Sequence, residues 1–269
     1  MSLPPFAWQR AEDLGSALSA LADGALPYCG GTELLAAMGM GLVSAERLVS
    51  LRGVAELRGV ALEGDVLHVG ATTTHREVAG SEVVASAFPL LARVAERVGN
   101  VRVRASGTIG GNLAFAEPRS DISTLLIAAG ASVVVTDGGA QRRVAVEEFL
   151  LGPFEPDLEP EELLVGVEVP VGAADVGAYH KVTVTERPVV GVALVPVAAA
   201  GGWRLVVGAV GDEPLVVEAA SLAEVDADGV AGEVDVVADL AGSEAYKRQL
   251  TRVAVAACRD EARARSQEA

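Results

Sequence analysis

The chain has 269 residues, of which 51% are hydrophobic and only 4% aromatic, so it can bury a substantial core made mainly of Val, Leu and Ala. Its formal net charge of −16 makes nucleic acid and anionic membrane surfaces poor partners. No apolar run reaches the roughly 20 residues of a membrane span, and no basic region followed by an apolar stretch opens the chain. We therefore expect a cytoplasmic protein of about two domains, without a secretory signal.

In the first part of the chain, the hydrophobic pattern predicts helices and strands in alternation. Helical patterns occupy 12–22, 32–41, 75–99 with a break near Pro89, and 121–130. Strand patterns occupy 26–31, 47–51 and 164–170, and two hairpins are predicted at 60–74 and 131–146, around Gly64-Asp65 and Asp137-Gly138-Gly139. The proline-rich, acidic segment 152–163 is predicted to be an exposed loop.

A domain boundary is predicted near 171–177, followed by a region of strands and then helices. Three strand patterns occupy 178–185, 189–200 and 203–211, and helical patterns lie around 216–225 and 243–264. The last helix is the only clearly basic segment, with Lys247, Arg248, Arg252, Arg259, Arg263 and Arg265. It is either a solvated helix or a docking surface.

The sequence contains only two cysteines, Cys29 and Cys258, which is typical of a reduced cytosolic protein. Together with the histidines His68, His75 and His180 they show no spacing typical of a metal site. Because an iron–sulfur cluster normally takes four cysteine ligands, this chain alone cannot hold one.

Two segments share a Gly-Gly pair beside a threonine, "CGGTELL" at 29–35 and "GTIGGNLA" at 107–114. Glycine lets backbone amides approach a ligand closely, and amides turned inward bind anions such as phosphate. Neither segment fits the G-x-G-x-x-G dinucleotide fingerprint or the P-loop. From the residues alone, both an ordinary turn and a phosphate-facing loop stay open for each segment.

Three segments in order, "CGGTELLAAMG", "VGATTTHREVA" and "GTIGGNLAFAEPRSDISTLLIAAGASVVV", resemble the flavin-binding medium subunit of the molybdenum hydroxylases. That subunit is of the carbon monoxide dehydrogenase type and is equivalent to the FAD domain of xanthine dehydrogenase. The resemblance implies an α+β fold, with an FAD-binding domain of vanillyl-alcohol oxidase (PCMH) type at 1–172. Its subdomains would span about 1–55 and 56–172, with FAD between them. A small C-terminal α+β domain, a three-stranded sheet with helices, would span 176–269.

The resemblance also implies the residues that bind FAD, non-covalently, with both glycine segments around its diphosphate. They are Cys29, Gly30, Gly31, Thr32, Glu33 and Leu34, with Thr108, Ile109, Gly110, Gly111 and Asn112. Ile109 would lie near the flavin ring and Asp121 near the ribose or adenosine. Leu164 and Lys181 match later positions that approach the cofactor.

Several residues invite a second interpretation. Asp121 is also a candidate N-cap for the helix that follows it. Arg97, Arg102 and Arg104 precede the second glycine segment and are expected to form surface contacts or ion pairs, with phosphate neutralisation as the alternative.

Two further residues are expected to be structural, although each has a functional alternative. We expect His75 to be structural rather than a covalent flavin link. Cys29 stands where the family commonly has alanine, and is either a small packing residue or a redox-sensitive thiol.

Two segments depart from the family pattern. The segment "VTERPVVGVA" lacks the basic pair and aspartate that many members have after the residue matching Lys181. The segment 152–163 lacks the family's usual basic or threonine residues. These departures concern the redox partner and the outer contacts of the flavin.

By resemblance, the chain is the FAD-dependent oxidoreductase subunit of a hetero-oligomer, with no catalytic side chain of its own. A molybdenum cofactor on a large partner and 2Fe-2S clusters on a small partner would supply electrons, and NAD, oxygen or a quinone would accept them. A stand-alone FAD-dependent oxidoreductase and a non-catalytic module that has lost FAD are the alternatives.

Overall fold

The computed structural model describes residues 3–172, 176–197 and 201–268, and its architecture is α+β, as predicted. The strands are β1 (Ala7–Arg10), β2 (Leu26–Tyr28), β3 (Arg47–Ser50), β4 (Val60–Glu63), β5 (Val66–Gly70), β6 (Ser132–Thr136), β7 (Gln141–Ala145), β8 (Leu150–Gly152), β9 (Glu155–Pro156), β10 (Leu163–Pro170), β11 (Ala178–Thr183), β12 (Pro188–Pro196), β13 (Trp203–Gly208) and β14 (Leu215–Ala219). The helices are α1 (Leu14–Ala22), α2 (Leu34–Gly39), α3 (His75–Gly80), α4 (Glu82–Ala87), α5 (Pro89–Glu96), α6 (Val101–Ser106), α7 (Ile109–Phe115), α8 (Asp121–Ala128), α9 (Val146–Phe149), α10 (Ala227–Glu233) and α11 (Glu244–Glu268).

The N-terminal strands form a small parallel sheet in the order β1-β3-β2. Helix α1 begins at a capping box in which Asp13 accepts from the Ser16 amide at 2.7 Å, and its buried face packs on this sheet. Because β2 leads directly into residues 29–33 and α2, the sheet holds the first glycine segment at its edge.

The second sheet is antiparallel, in the order β4-β5-β10-β6-β7. Both predicted hairpins are present, β4–β5 and β6–β7, and each turn contains a glycine with positive φ, Gly64 and Gly138. Strand β10 lies at the centre, with a β-bulge between Leu164 and Gly166. The largest hydrophobic core cluster combines this sheet with α5, α7 and α8.

The C-terminal sheet is an antiparallel meander of four strands, β11-β12-β13-β14, and α11 packs against it. The prediction of a three-stranded sheet is therefore wrong by one strand. The fourth strand lies in the segment around 216–225, which was predicted to be helical. Residues 215–219 pair with β13 as β14, and the helix α10 begins only at Ala227. The β-branched Val216 and Val217 favour a strand here, and an edge of β13 was open to pair with it.

Helix α8 joins the two larger sheets, and all of its residues are buried. One side packs in the core of the five-stranded sheet and the other lies against β12 and β13. At Gly208 of β13 a Cβ atom would collide with the Thr124 hydroxyl, so glycine permits this close approach. The predicted boundary at 171–177 includes residues 173–175, which lie outside the described residues, and the domain division stays a prediction.

Within the three described ranges, no helix is both long and apolar enough to cross a membrane.

Candidate cofactor-binding site

A cavity of about 600 Å³ lies between the small parallel sheet, the five-stranded sheet and the start of α8. Its size falls within the roughly 300–1,000 Å³ typical of ligand sites. Residues 29–34, hereafter the first glycine loop, line it together with most of residues 107–112, hereafter the second glycine loop. The fold thus brings together two segments that are almost 80 residues apart in the sequence.

The first glycine loop presents amide groups that have no acceptor within the described chain. Residues 30–33 all line the cavity, and none of their N–H groups donates to another described residue. Gly31 has φ +69, a left-handed conformation that turns successive amides toward one side. A run of inward-facing amides of this kind is an anion-binding nest.

The glycines of the first loop are required by packing as well as by conformation. A Cβ on Gly30 would collide with the carbonyl oxygen of Ser106, so Gly30 lets this loop lie directly against the start of the second. A Cβ on Gly31 would lie 2.5 Å from the Tyr28 ring. Arg52 holds the start of the loop, because its Nε donates to the Cys29 carbonyl at 2.9 Å.

In the second glycine loop, the amides of Gly107 and of residues 109–112 are already engaged within the described chain. Thr108 is the N-cap of α7 and accepts from the Gly111 amide at 3.1 Å. The amides of Ile109 and Gly110 donate to Thr73 and Ala71 at 3.0 and 2.9 Å. The two loops therefore differ: the first offers free backbone donors, whereas the second uses its amides to fix α7 against residues 71–73.

The second glycine loop still offers a side-chain donor. Asn112 lines the cavity, and its Oδ1 accepts from the Ser120 hydroxyl at 2.7 Å. That bond leaves the Asn112 Nδ2 group, which donates to no described residue, available to a ligand.

Ser120, rather than Asp121, caps α8, since its hydroxyl accepts from the Ser123 amide at 3.1 Å. Asp121 is the first residue of the helix, so the expectation that it is the N-cap is wrong.

Asp121 lines the cavity as a buried carboxylate that the C-terminal sheet neutralises. Lys181 Nζ donates to its Oδ2 at 2.8 Å, and the Tyr179 hydroxyl donates to its Oδ1 at 2.6 Å. Burial, with the nearby Asp121 charge, raises the pKa of Tyr179 well above its ordinary value, so the phenol stays a donor. Lys181 and Tyr179 thereby hold the Asp121 carboxylate in one orientation, in which it can accept from a ligand hydroxyl.

Two arginines line the cavity, and both are neutralised by glutamates. Arg187 donates to Glu33 of the first glycine loop at 2.7 Å and also pairs with Glu117. Glu117 also accepts from Arg119 Nε at 3.0 Å. This network ties the first glycine loop to the end of α7 and to the turn between β11 and β12, and both arginines among the described lining residues are paired.

His75 and Cys29 also line the cavity, and neither is ionised at neutral pH. Burial, followed by the positive charge of Arg104, lowers the pKa of His75 to about 4. Burial raises the pKa of the Cys29 thiol and outweighs a hydrogen bond with Thr108 and the charges of Arg52 and Arg58. The raised pKa argues against Cys29 as a low-pKa redox sensor.

The family described as "FAD binding domain in molybdopterin dehydrogenase" matches residues 4–172 of the chain. The chain belongs to this family. The matched region contains both glycine loops, Asp121 and Leu164.

Individual relatives agree with this FAD-binding family. The chain is 34% identical to the carbon monoxide dehydrogenase medium chain of Hydrogenophaga pseudoflava and 31% identical to the glyceraldehyde dehydrogenase medium chain of Sulfolobus acidocaldarius. Each alignment covers 66% of this chain, but only 63% and 64% of those two proteins. The alignments with these curated relatives therefore span less than two thirds of their length.

The solved structures cover more of the chain. A chain of carbon monoxide dehydrogenase from Hydrogenophaga pseudoflava superposes with a TM-score of 0.90 at 28% identity, over 98% of this chain and 99% of that one. A chain of quinoline 2-oxidoreductase from Pseudomonas putida 86 gives 0.86 at 25% identity, over 97% and 99%. The FAD-binding fold and the C-terminal part thus occur together in these relatives.

Most residues that the resemblance assigned to FAD line the cavity, and two do not. The lining includes Cys29, Gly30, Gly31, Thr32, Glu33, Leu34, Thr108, Gly110, Gly111, Asn112, Asp121 and Leu164. The Ile109 side chain packs in the hydrophobic core instead, and Lys181 acts through Asp121. Arg97, Arg102 and Arg104 are also absent from the lining, and Arg104 donates to the carbonyls of Val98 and Gly99.

Sequence reasoning missed the ion pairs around the cavity. Glu117, Arg119 and Arg187 lie in segments noted for other reasons, "AFAEPRSD" and "VTERPVV". The Arg187–Glu117 pair joins residues about 70 positions apart and therefore carries no local signal. The segment 152–163 is likewise more than an exposed loop, because residues 150–152 and 155–156 form a short hairpin and residues 158–160, 162 and 163 line the cavity.

Proposed function

We propose that the cavity binds FAD with its diphosphate on the free amides of the first glycine loop. The observation that carries the proposal is the row of unpaired amides at 30–33, which faces the same cavity as Asn112 and Asp121. In a chain with net charge −16, backbone dipoles can bind a dianion without unpaired cations. The Asn112 amide would donate to a phosphate oxygen, and Asp121 would accept from a ribose hydroxyl.

FAD, when bound, supplies the redox chemistry through its flavin ring, and the protein supplies binding and orientation. Apolar side chains such as Leu34, Phe115 and Leu164 line the cavity, where they would exclude water from bound FAD. The Arg187 pairs with Glu33 and Glu117 hold the cavity walls together.

The proposal extends to electron transfer within a hetero-oligomer in the cytoplasm. Curated relatives carry names such as "medium chain" and "caffeine dehydrogenase subunit beta", and the two cysteines of this chain are too few for an iron–sulfur cluster. We therefore propose a large partner with a molybdenum cofactor and a small partner with 2Fe-2S clusters. Electrons would pass from these clusters to FAD and then to NAD, oxygen or a quinone.

A substitution in the second glycine loop tests the cavity. A Cβ on Gly110 would lie 2.5 Å from Ala71, so changes there would disturb the core, whereas a Cβ on Gly111 meets only the Thr108 hydroxyl, at 2.9 Å. We expect Gly111→Val to weaken FAD binding at least about tenfold by filling space beside the cavity and disturbing the cap. Flavin absorbance after FAD titration and gel filtration measures this loss.

Gly80→Val is the matched control, because Gly80 also lies in a helix and a Cβ there would meet nothing within 4 Å. It should retain FAD like the parent. If the parent chain neither carries nor takes up FAD, or if folded Gly111→Val binds FAD as tightly as the parent, the proposed cavity is wrong.

Affinity purification of the tagged chain from its native cells tests the assembly. We expect two co-purifying chains and stoichiometric molybdenum and iron by elemental analysis. A flavin-containing chain that purifies alone and oxidises a substrate unaided would instead support the stand-alone oxidoreductase.

A further inference from the structure

A second, smaller pocket of about 160 Å³ adjoins the cavity. It shares Cys29, Thr72 and Thr108 with the cavity, and none of the glycines of the two loops is among its lining residues. Its remaining lining residues are Arg52, Arg58, Thr74 and Ser106. Every residue of this wall carries a polar or thiol side chain, whereas much of the larger cavity is apolar.

The arginines of this pocket retain unused donors. Arg52 uses Nε on the Cys29 carbonyl, and its guanidinium lies 5.8 Å from the centre of the Tyr28 ring, which fixes its position. Its two terminal nitrogens donate to no described residue. Arg58 pairs with Glu77 through Nε and Nη2, which leaves Nη1 without an acceptor in the described chain.

Some hydroxyl groups of the pocket already donate hydrogen bonds within the chain, and one does not. Thr72 donates to the Leu57 carbonyl at 2.9 Å, and Thr74 donates to Glu77 at 2.8 Å. The Ser106 hydroxyl has no hydrogen bond to another described residue. The open donors are therefore the free arginine nitrogens and Ser106, a set that matches the oxygens of a tetrahedral anion.

The charges around the pocket also favour an anionic ligand. Arg52 and Arg58 both lower the pKa of the Cys29 thiol through their charge, so both guanidiniums lie close to a group that lines the pocket, even though burial raises that pKa overall. Of the acidic neighbours, Glu77 is the one paired here, and it offsets only one of the two arginines. A net positive pocket stands out in a chain of net charge −16.

We propose that this pocket is a binding site for a phosphate-type oxyanion, held by Arg52, Arg58 and Ser106. The group is either a free anion, including the anionic end of a second small molecule, or outer phosphoryl oxygens of the same FAD diphosphate that the first glycine loop would bind in the adjoining cavity. Binding of inorganic phosphate by the FAD-free chain does not require the proposed flavin function.

Calorimetric titration of the full-length, FAD-free chain with inorganic phosphate, at constant ionic strength set by chloride, tests the proposal. We expect saturable phosphate binding, with Arg52→Gln and Arg58→Gln each weakening it about tenfold or more; binding on the amides of residues 30–33 would not depend on these two side-chain charges. Arg143→Gln is the matched control for Arg58→Gln, because both arginine side chains are more than half exposed and each pairs with one glutamate. Arg143 pairs with Glu168 and Arg58 with Glu77. Thermal melts establish that each variant is folded, and Arg58→Lys, which keeps the charge, should lose less affinity than Arg58→Gln.

The same titration on the FAD-saturated chain separates the two sources. Unchanged phosphate binding identifies a free anion or second ligand. Loss of phosphate binding, together with weaker FAD binding in Arg58→Gln, identifies a phosphoryl group of FAD; Arg52→Gln does not enter this comparison, because Arg52 also holds the first glycine loop. The proposal is overturned if the FAD-free chain shows no saturable phosphate binding, or if both arginine variants bind phosphate like the parent and Arg143→Gln.

Discussion

At the scale of single residues, the two Gly-Gly pairs perform different tasks. Gly30 and Gly110 let backbone segments touch, against Ser106 and Ala71, whereas Gly31 supplies a left-handed conformation that leaves neighbouring amides facing the cavity. The shared local sequence indicated permissive backbone at both places. It did not indicate which amides stay free. The amides of the second loop are engaged by the carbonyls of Thr73 and Ala71, which lie in a different segment.

His75 leads to a prediction about pH at this scale. Its pKa is lowered from 6.5 to about 4 in the folded chain, so between these values the unfolded chain takes up a proton that the folded chain does not. The free energy of unfolding should therefore fall by up to about 3 kcal/mol as the pH drops from above 6.5 to about 4. Urea denaturation at a series of pH values measures the slope.

The fall in the free energy of unfolding that His75 causes between pH 6.5 and about 4 should disappear in His75→Gln. The control His68→Gln, at a partly exposed histidine, should keep that fall. An unchanged slope in His75→Gln would show that other groups dominate acid destabilisation.

At the scale of elements, most of the basic side chains of α11 that were candidates for docking are bound to acidic or carbonyl groups of the same chain. Arg248 donates to the carbonyls of Ala231, Gly232 and Val234, which closes the end of α10. Arg252 and Arg265 pair with Asp228 and Glu261. Charge composition alone left a docking surface open, but much of that charge is neutralised within the chain.

Lys247 of α11 gives a prediction for this element. It is only 2% exposed, and its Nζ donates to the Val237 carbonyl at 2.8 Å and pairs with Asp239 at 2.9 Å. Lys247→Met removes both charged hydrogen bonds while keeping most of the apolar stem. We expect a loss of about 1–3 kcal/mol in the free energy of unfolding, measured by chemical denaturation.

Arg252→Met, on the same helix, removes an exposed pair with Asp228 and should cost less than about 1 kcal/mol. Equal losses in the two variants would contradict a special role for the buried lysine.

At the scale of the whole molecule, the Asp121–Lys181–Tyr179 cluster connects the wall of the cavity to the C-terminal sheet. Asp121 opens α8, while Tyr179 and Lys181 lie on β11. Lys181 also donates to the Arg97 carbonyl at 2.7 Å, so one ammonium group joins three parts of the chain. The C-terminal sheet thereby contributes to the cavity through the charge it supplies to Asp121.

Removal of the Lys181 ammonium group should show the energetic coupling between Lys181 on the C-terminal sheet and Asp121 in the cavity wall. Lys181→Met leaves the carboxylate of Asp121 buried without its cation, at a cost of about 3–5 kcal/mol in the free energy of unfolding. The double variant Asp121→Asn/Lys181→Met should be more stable than Lys181→Met alone, because the uncompensated charge is gone. Urea denaturation of the four members of the cycle measures this.

The pair Arg143–Glu168, whose arginine is exposed, provides a comparison cycle in which the two losses should nearly add. If the Asp121–Lys181 losses add in the same way, the buried pair does not couple the sheet to the cavity.

Local sequence was sufficient for the features that short-range chemistry specifies. The two hairpins followed from Gly-containing turns between strand patterns, and the helix break followed from Pro89, because turn and proline conformations are set within a few residues. The resemblance of three segments in order, the two glycine segments and residues 69–79 between them, predicted the family and through it the α+β fold.

The arrangement in space was required wherever the deciding partner is distant in the chain. The strand at 215–219 depends on the open edge of β13, and the orientation of Asp121 depends on Lys181 and Tyr179 about 60 residues away. The free amides at 30–33, the Arg187 bridge and the Arg52–Arg58 pocket each exist because separate segments meet. Hydrogen bonds and ion pairs are short-range in space but have no fixed range along the chain, so only the folded structure shows which donors remain free for a ligand.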